Sequence, residues 1–170
     1  MRSTLPLLAF LLLFTACNKE DFAHENAYEK SYKAWLSFKA ESNNAYTYTV
    51  TSASIFGFSS ATAITVKNGV VTARTYVAKG RDTNGQLQTT FEYTEDAATL
   101  NTNERGGACI TLDEVYAEAK KVYLVKKKDR VNYFETTNNG MISFVGQSVG
   151  SACVDDCVNG IRISTITKLN

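Results

Sequence analysis

The stretch Thr62 to Tyr76, TAITVKNGVVTARTY, runs an alternating pattern into Asn68-Gly69 and out again. Asn and Gly both accept the positive φ that a two-residue type I′ turn requires, and that turn twists in the sense of the strands it joins, so the stretch predicts a β-hairpin. The turn fixes the register: Lys67 faces Val70 and Val66 faces Val71. Strict alternation from there puts Ile64, Val66, Val71, Ala73 and Val77 on one face and Thr65, Lys67, Thr72 and Arg74 on the other. The apolar face needs cover, and the amphipathic segments Tyr28 to Phe38 and Leu112 to Tyr123 are the candidates to supply it.

Upstream of the hairpin, Asn26 to Ala40 predicts a helix with an aromatic stripe of Tyr28, Tyr32, Trp35 and Leu36, flanked by Phe38. Ser42-Asn43-Asn44 ends it, and Tyr46, Tyr48 and Val50 then alternate with threonines as a strand does. Ile55-Phe56-Gly57-Phe58 breaks the alternation between serines. A buried flap or bulged strand end is expected there rather than an exposed contact patch, because three large apolar groups gain by leaving water.

Downstream, Lys79 to Gln86 is a turn region, and Leu87, Thr89, Phe91 and Tyr93 alternate with polar residues as a further strand. Glu95 to Ala108 has no apolar period and is an irregular connection. Thr111 and Glu114 have capping-box spacing, with Ile110 and Val115 placed as a hydrophobic staple, so a second helix starts there. Its apolar face is Leu112, Val115, Tyr116, Ala119, Val122 and Tyr123, and Lys126 to Lys128 follow at its carboxyl end. Val131 to Thr137 pairs with Met141 to Val145 around Asn139-Gly140, and Gly160 to Leu169 is the last strand. Helices thus separate groups of adjacent strands, which predicts an α+β fold: a mainly antiparallel β-meander sheet covered by two amphipathic helices, in one domain over residues 26–170.

The chain opens with Arg2, the apolar run Leu5 to Phe14, small residues Thr15 and Ala16, and then Cys17. This is the order of an export signal, and its apolar run is far below the roughly 20 residues a spanning helix needs. Phe14-Thr15-Ala16-Cys17 resembles the lipobox of bacterial lipoproteins, with Phe14 where that family usually has Leu. The resemblance implies a signal peptide at 1–16, cleaved before a Cys17 that carries diacylglyceryl and palmitate-type acyl chains, and a lipidated tether at 17–25. Several acyl chains together hold a protein on a membrane stably. Lys19-Glu20-Asp21 resembles the acidic tags that direct some lipoproteins of Gram-negative bacteria outward, so the implied address is the cell envelope, at the outer membrane and surface-exposed.

Charge excludes some partners. The chain has 18 basic and 17 acidic residues, a net charge of +1, so no basic excess points to nucleic acid, and Lys126-Lys127-Lys128 is too short to change that. The single histidine, His24, falls in the tether, where a mobile imidazole cannot serve a nucleophile, so no catalytic residue is assigned. Glu92, Glu95, Asp96, Asp113 and Glu114 could supply a carboxylate pair, but Asp113 and Glu114 are explained by the helix start. No dinucleotide fingerprint, phosphate loop or zinc spacing is present, and no cofactor is assigned. Asp155, Asp156 and Asn159 are hard oxygen donors without EF-hand spacing or a closing Glu, so no metal is assigned.

With Cys17 lipidated, three thiols remain in an oxidising compartment. Cys153 and Cys157 are expected to form a local disulfide, leaving Cys109 free in its apolar setting and presenting Asp155 and Asp156 as an interaction loop on a stapled base.

The helix carrying Trp35, the tyrosine-rich strand, VKNGVV, TLDEVY, NNG and CxDDCxxGI together resemble an uncharacterised family of small exported bacterial domains. That resemblance brings no activity with it. The expectation from sequence is an envelope-anchored lipoprotein acting as a non-catalytic binding module for an envelope protein or a small molecule. The alternatives are an accessory or structural subunit of an envelope complex and a carboxylate-based hydrolase.

Overall fold

The computed structural model describes residues 22–150 and 158–169. Helix α1 (Glu25–Glu41) leads into four strands, β1 (Tyr46–Ala53), β2 (Ser59–Lys67), β3 (Val70–Arg81) and β4 (Leu87–Asp96). Helix α2 (Leu112–Glu118) continues through a π-helical turn (Ala119–Tyr123) into β5 (Arg130–Glu135), β6 (Phe144–Val149) and β7 (Val158–Lys168). The strands make one seven-stranded antiparallel sheet in the order β4-β3-β2-β1-β7-β6-β5. It consists of two meanders joined where β7 pairs with β1, which is the α+β architecture the sequence predicts.

The central hairpin turns at Asn68 and Gly69, whose φ angles of 51° and 76° are those of a type I′ turn. Lys67 faces Val70 and Val66 faces Val71, as expected. One residue later the alternation fails, because Thr65 faces Ala73 and Thr72 is left over as a bulge. A single extra residue exchanges the two faces beyond it. Arg74 and Tyr76 therefore join Ile64, Val66 and Val71 on the inner, buried face, while Ala73 and Val77 turn outward, the reverse of what strict alternation predicts.

Two further bulges follow the same construction. Thr90 is the extra residue between the pairs Ala78↔Phe91 and Lys79↔Thr89, and Ser164 is the extra residue between Thr49↔Thr165 and Val50↔Ile163. In all three the bulged residue carries a hydroxyl that donates to a carbonyl of the neighbouring strand: Thr72 to Thr65 at 3.4 Å, Thr90 to Ala78 at 3.3 Å and Ser164 to Thr49 at 3.4 Å. An interrupted ladder leaves backbone groups short of partners, and the hydroxyl supplies one locally. The consequence in β7 is that Ile163 and Ile166 share the inner face despite their odd spacing. In β4 it sends Leu87 to the outer face, away from Phe91 and Tyr93.

The core lies between the inner face and the helices. Trp35, Tyr46, Tyr48, Ile64, Leu112 and Tyr116 are sealed from solvent, with Trp35 set edge-on to Tyr46 at 5.1 Å between ring centres. Buried aromatic residues with polar tips need partners, and Trp35, Tyr116, Tyr46 and Tyr48 each find one. Trp35 Nε1 donates to Asp113 Oδ1 at 3.0 Å, tying α1 to the first turn of α2, and Lys39 Nζ reaches Asp113 Oδ2 at 2.7 Å. The Tyr116 hydroxyl donates to the Ser31 carbonyl at 3.1 Å and accepts from Ile142 N at 3.0 Å. Tyr46 accepts from Leu112 N at 3.0 Å, and Tyr48 donates to the Ile110 carbonyl at 2.5 Å.

The capping box at Thr111 and Glu114 forms as expected. The widened turn that follows, closed by Leu124 N donating to the Ala119 carbonyl at 2.9 Å, rotates the helix face. Tyr123 and Leu124 enter the core and Val122 is exposed, which a helix of uniform pitch does not give. In α1, Leu36 is exposed and Ser31 occupies the buried face in its place, bonded to Tyr116. The β5–β6 connection is longer than the expected hairpin: Asn139-Gly140 makes its own small turn, and Met141 and Ile142 behind it are buried.

Several expectations are revised. Phe22 is buried edge-on against Tyr28, so the packed structure reaches back into the expected tether. Ile55, Phe56 and Phe58 stand 68%, 75% and 61% exposed at the β1–β2 tip, so this stretch is an open patch and not a buried flap. The expected disulfide is corrected as well. Among the described residues there is no disulfide, and Cys109 is a free thiol. Cys153, Cys157, Asp155 and Asp156 lie outside the described residues, as does Cys17. Nearness in sequence does not supply the Cβ orientation a disulfide requires. No described helix is long and apolar enough to cross a membrane.

Candidate functional site

The two helices cover the β1, β7, β6 and β5 part of the inner face. Over β3 and β4 the cover comes instead from the connection 97–110, the irregular stretch of the sequence. A buried ion pair holds it down. Arg74 and Glu95 face each other across β3 and β4, with Arg74 Nε 2.8 Å from Glu95 Oε2. Arg74 Nη1 donates to the Gly107 carbonyl at 3.1 Å and Nη2 to the Asn103 carbonyl at 2.7 Å. Glu95 in turn accepts from Asn101 N, Thr102 Oγ1, Asn103 N and Asn103 Nδ2. Both charges thus spend their bonding capacity on the connection. The Arg74 guanidinium, with the Asn103 and Asn101 donors, holds the Glu95 carboxyl well below the usual carboxylate range.

Gly106 and Gly107 let the connection lie close on the sheet. A Cβ at Gly106 would stand 3.0 Å from Tyr76 and Tyr93, and its φ of 95° is in the region that favours glycine. Gly107 N donates to Thr62 Oγ1 at 2.8 Å, and the Tyr93 hydroxyl donates to the Arg105 carbonyl. Cys109 sits half-buried beside this arrangement, and burial pushes its thiol up.

The connection stops short of the strand ends and leaves a cleft there of about 370 Å³. Ser52, Ser60 and Ala78 form its floor, and Phe58 forms an end wall. Gly80 makes room for Phe58, since a Cβ there would lie 3.3 Å from the ring. Arg105 also lines it, with its guanidinium 4.9 Å above the Phe91 ring. Ser54, Ser59, Tyr76, Thr90 and the backbone side of Lys79 complete the lining. The cleft therefore combines ring faces, hydroxyls able to donate or accept, and the Arg105 cation. Such a set can hold a polar ligand by its hydroxyls and an anionic group by Arg105.

Two other hollows have less to offer a polar ligand. One of about 490 Å³ is lined largely by the outer-face residues Thr51, Ala53, Ala61 and Val77. The other, about 450 Å³, lies beside Phe22, His24 and Lys126.

The carboxylates considered for hydrolysis do not converge. Glu95 is in the buried pair, Asp96 accepts from Ala98 N and Thr99, Asp113 holds Trp35 and Lys39, and Glu114 closes the capping box. Glu92 faces Val77 on the outer side of β4. His24 is held in place, with Nε2 2.9 Å from the Asn132 carbonyl, at a left-handed position before α1. No group of three potential metal ligands occurs among the described residues.

Sequence reasoning missed Arg74, Arg105 and the serine floor. Val71 and Tyr76 carry the signal for Arg74, because two large groups five residues apart cannot share a face of an unbroken strand. Arg105 carries none, being one charged residue in an aperiodic stretch. Comparison with known protein families, with curated proteins and with solved structures returns no match.

Proposed function

We propose that the protein is an envelope-anchored lipoprotein whose domain is a non-catalytic binding module, taking an anionic, hydroxyl-bearing ligand such as an acidic saccharide unit in the strand-end cleft. The cleft carries this reading: Arg105 over Phe91, Phe58 at the end wall and serine hydroxyls on the floor form a recognition set. The anchor rests on Cys17 and the residues before it. Thermal unfolding in the presence of acidic and neutral oligosaccharides tests the site, since a ligand that binds only the folded state raises the midpoint. Acidic sugars are expected to raise it and Arg105→Ala to abolish the rise. A rise that survives in the variant, or none with any acidic sugar, counts against the cleft.

A second reading, an accessory subunit of an envelope complex, is favoured by the outer face. Thr47, Thr49, Ala61, Ala63, Thr165 and Thr167 make a surface of small side chains there, open for another protein to lie against. Recovery of one stoichiometric partner from solubilised envelope, lost when Ala61 and Ala63 are changed to Arg, would favour it over the cleft.

A further inference from the structure

We propose that the β1–β2 tip inserts into the lipid surface on which the protein is anchored, with Ile55 and Phe56 as the inserting side chains and a flanking basic rim on the headgroups. The inference rests on the lipoprotein reading and adds an orientation to it.

Exposure is the first observation. Ile55 and Phe56 are 68% and 75% exposed, and Leu87, on the neighbouring tip, is 55% exposed. The two tips are tied by one side chain: Arg81 lies against Gly57, where a Cβ would stand 2.8 Å from its Nε, and its Nη1 donates to the Gly85 carbonyl at 2.6 Å. The Ser54 hydroxyl accepts from Phe56 N at 3.2 Å and Ser54 N donates to the Phe58 carbonyl at 2.8 Å. The apolar groups are thus presented on a bonded turn. Water is a poor partner for such a set, and a bilayer interface accepts apolar rings beside cations.

Register supplies the second observation. Ala53 faces Ser59, which faces Lys79, while at the other side of the sheet Arg130 faces Val149 and Val131 faces Ser148, which faces Val158. The antiparallel pairing of β7 with β1 brings all these strand ends to one end of the sheet. The chain enters the described fold at that same end, because His24 is bonded to the Asn132 carbonyl and Ala23 N to the Leu124 carbonyl. From Cys17 to Phe22 are five residue steps, which reach at most about 18 Å when extended. Strands spaced about 4.8 Å apart put the β1–β2 tip on the order of 20 Å from β5. A lipid at Cys17 therefore holds this end of the domain near the membrane.

Charge is the third. Arg81 at the tips and the exposed run Lys126 to Lys128 beside β5 lie at this end, spread across the width of the sheet. Cations in that position match anionic headgroups and add to an acyl anchor.

The test uses the lipidated protein in vesicles of phosphatidylethanolamine and phosphatidylglycerol, with Phe56→Trp as the reporter and Leu36→Trp, on the exposed side of α1, as its control. Trp35 is fully buried and supplies a constant background. The expected result is flotation with the vesicles, a shift of the Phe56→Trp emission to shorter wavelength, and quenching by lipids brominated in their acyl chains, with the Leu36→Trp emission unmoved. Flotation with the reporter indole still quenched by aqueous iodide overturns the insertion and leaves the anchor standing. Failure to float overturns both. A concentration-dependent shift without vesicles would mean that a second copy covers the tip, and also overturns the insertion.

Discussion

Arg74 and Glu95, on adjacent strands and each almost sealed from water, form the one ion pair in the described residues that is buried on both sides. Its position depends on Thr72. Were Thr72 paired in an unbroken ladder, Arg74 would face solvent on the outer side of β3 and the Glu95 carboxylate would have no guanidinium beside it.

The pair sets an acid limit. Because the Glu95 carboxyl is held below its unfolded value of 4.5, its contribution to stability is present above that value and is lost as pH falls through the range beneath it. Asp82 and Asp96, also lowered by donors in their turns, act with the same sign. The urea midpoint should hold steady from neutrality to about pH 5 and fall below that. Glu95→Gln should start lower at neutral pH and decline less on acidification. Parallel curves for the two proteins would refute the assignment.

Deletion of Thr72 tests the bulge. It leaves Val71 and Arg74 two residues apart in plain alternation, so the pairs Val66↔Val71, Thr65↔Ala73 and Ile64↔Arg74 should persist and the urea midpoint should fall only modestly, from the lost hydroxyl bond and local twist. A deletion variant that fails to fold, or whose urea slope changes, would show that the bulge itself is needed to place Arg74.

At the start of α2, Thr111→Ala removes the acceptor for Glu114 N and one half of the capping box, and should lower stability by about 1 kcal/mol in urea denaturation. Thr111→Ser should restore most of the loss.

Tyr116→Phe deletes the hydroxyl that accepts from Ile142 N and bonds Ser31, all in buried surroundings. Leaving such groups unpaired should cost about 2 kcal/mol. A loss no larger than a few tenths would indicate that water replaces the hydroxyl.

Cys109 should alkylate slowly in the folded protein at neutral pH and readily in urea. Burial raises its thiol, so less thiolate is present than for a free cysteine. Equal rates in the two states would place it in open solvent.

What could be read from the sequence follows from what is local. Asn68-Gly69 specifies its turn, Thr111 and Glu114 specify a helix start, and the grouping of strands around two helices gives the class of fold. The misplaced residues share a different cause. Arg74 and Leu87 lie beyond bulges, where a period of two carries over the wrong sign. Val122 lies within the π turn, where the helical period changes. The strand-end cleft is harder still, since Ser52, Phe58 and Arg105 come from separate segments and no short-range pattern marks their convergence.

The unequal cover of the sheet has a dynamic consequence. The part under α1 and α2 is locked by packed aromatic residues, whereas β3 and β4 are roofed by 97–110 through polar bonds and one ion pair. Such a roof can lift without disturbing the helices, so the outer hairpin should behave as a separate cooperative unit. Amide protons of β3 and β4 would then exchange through a partial opening at lower free energy than those of β1 and β7. Acid, by protonating Glu95, would widen that gap before the whole molecule unfolds.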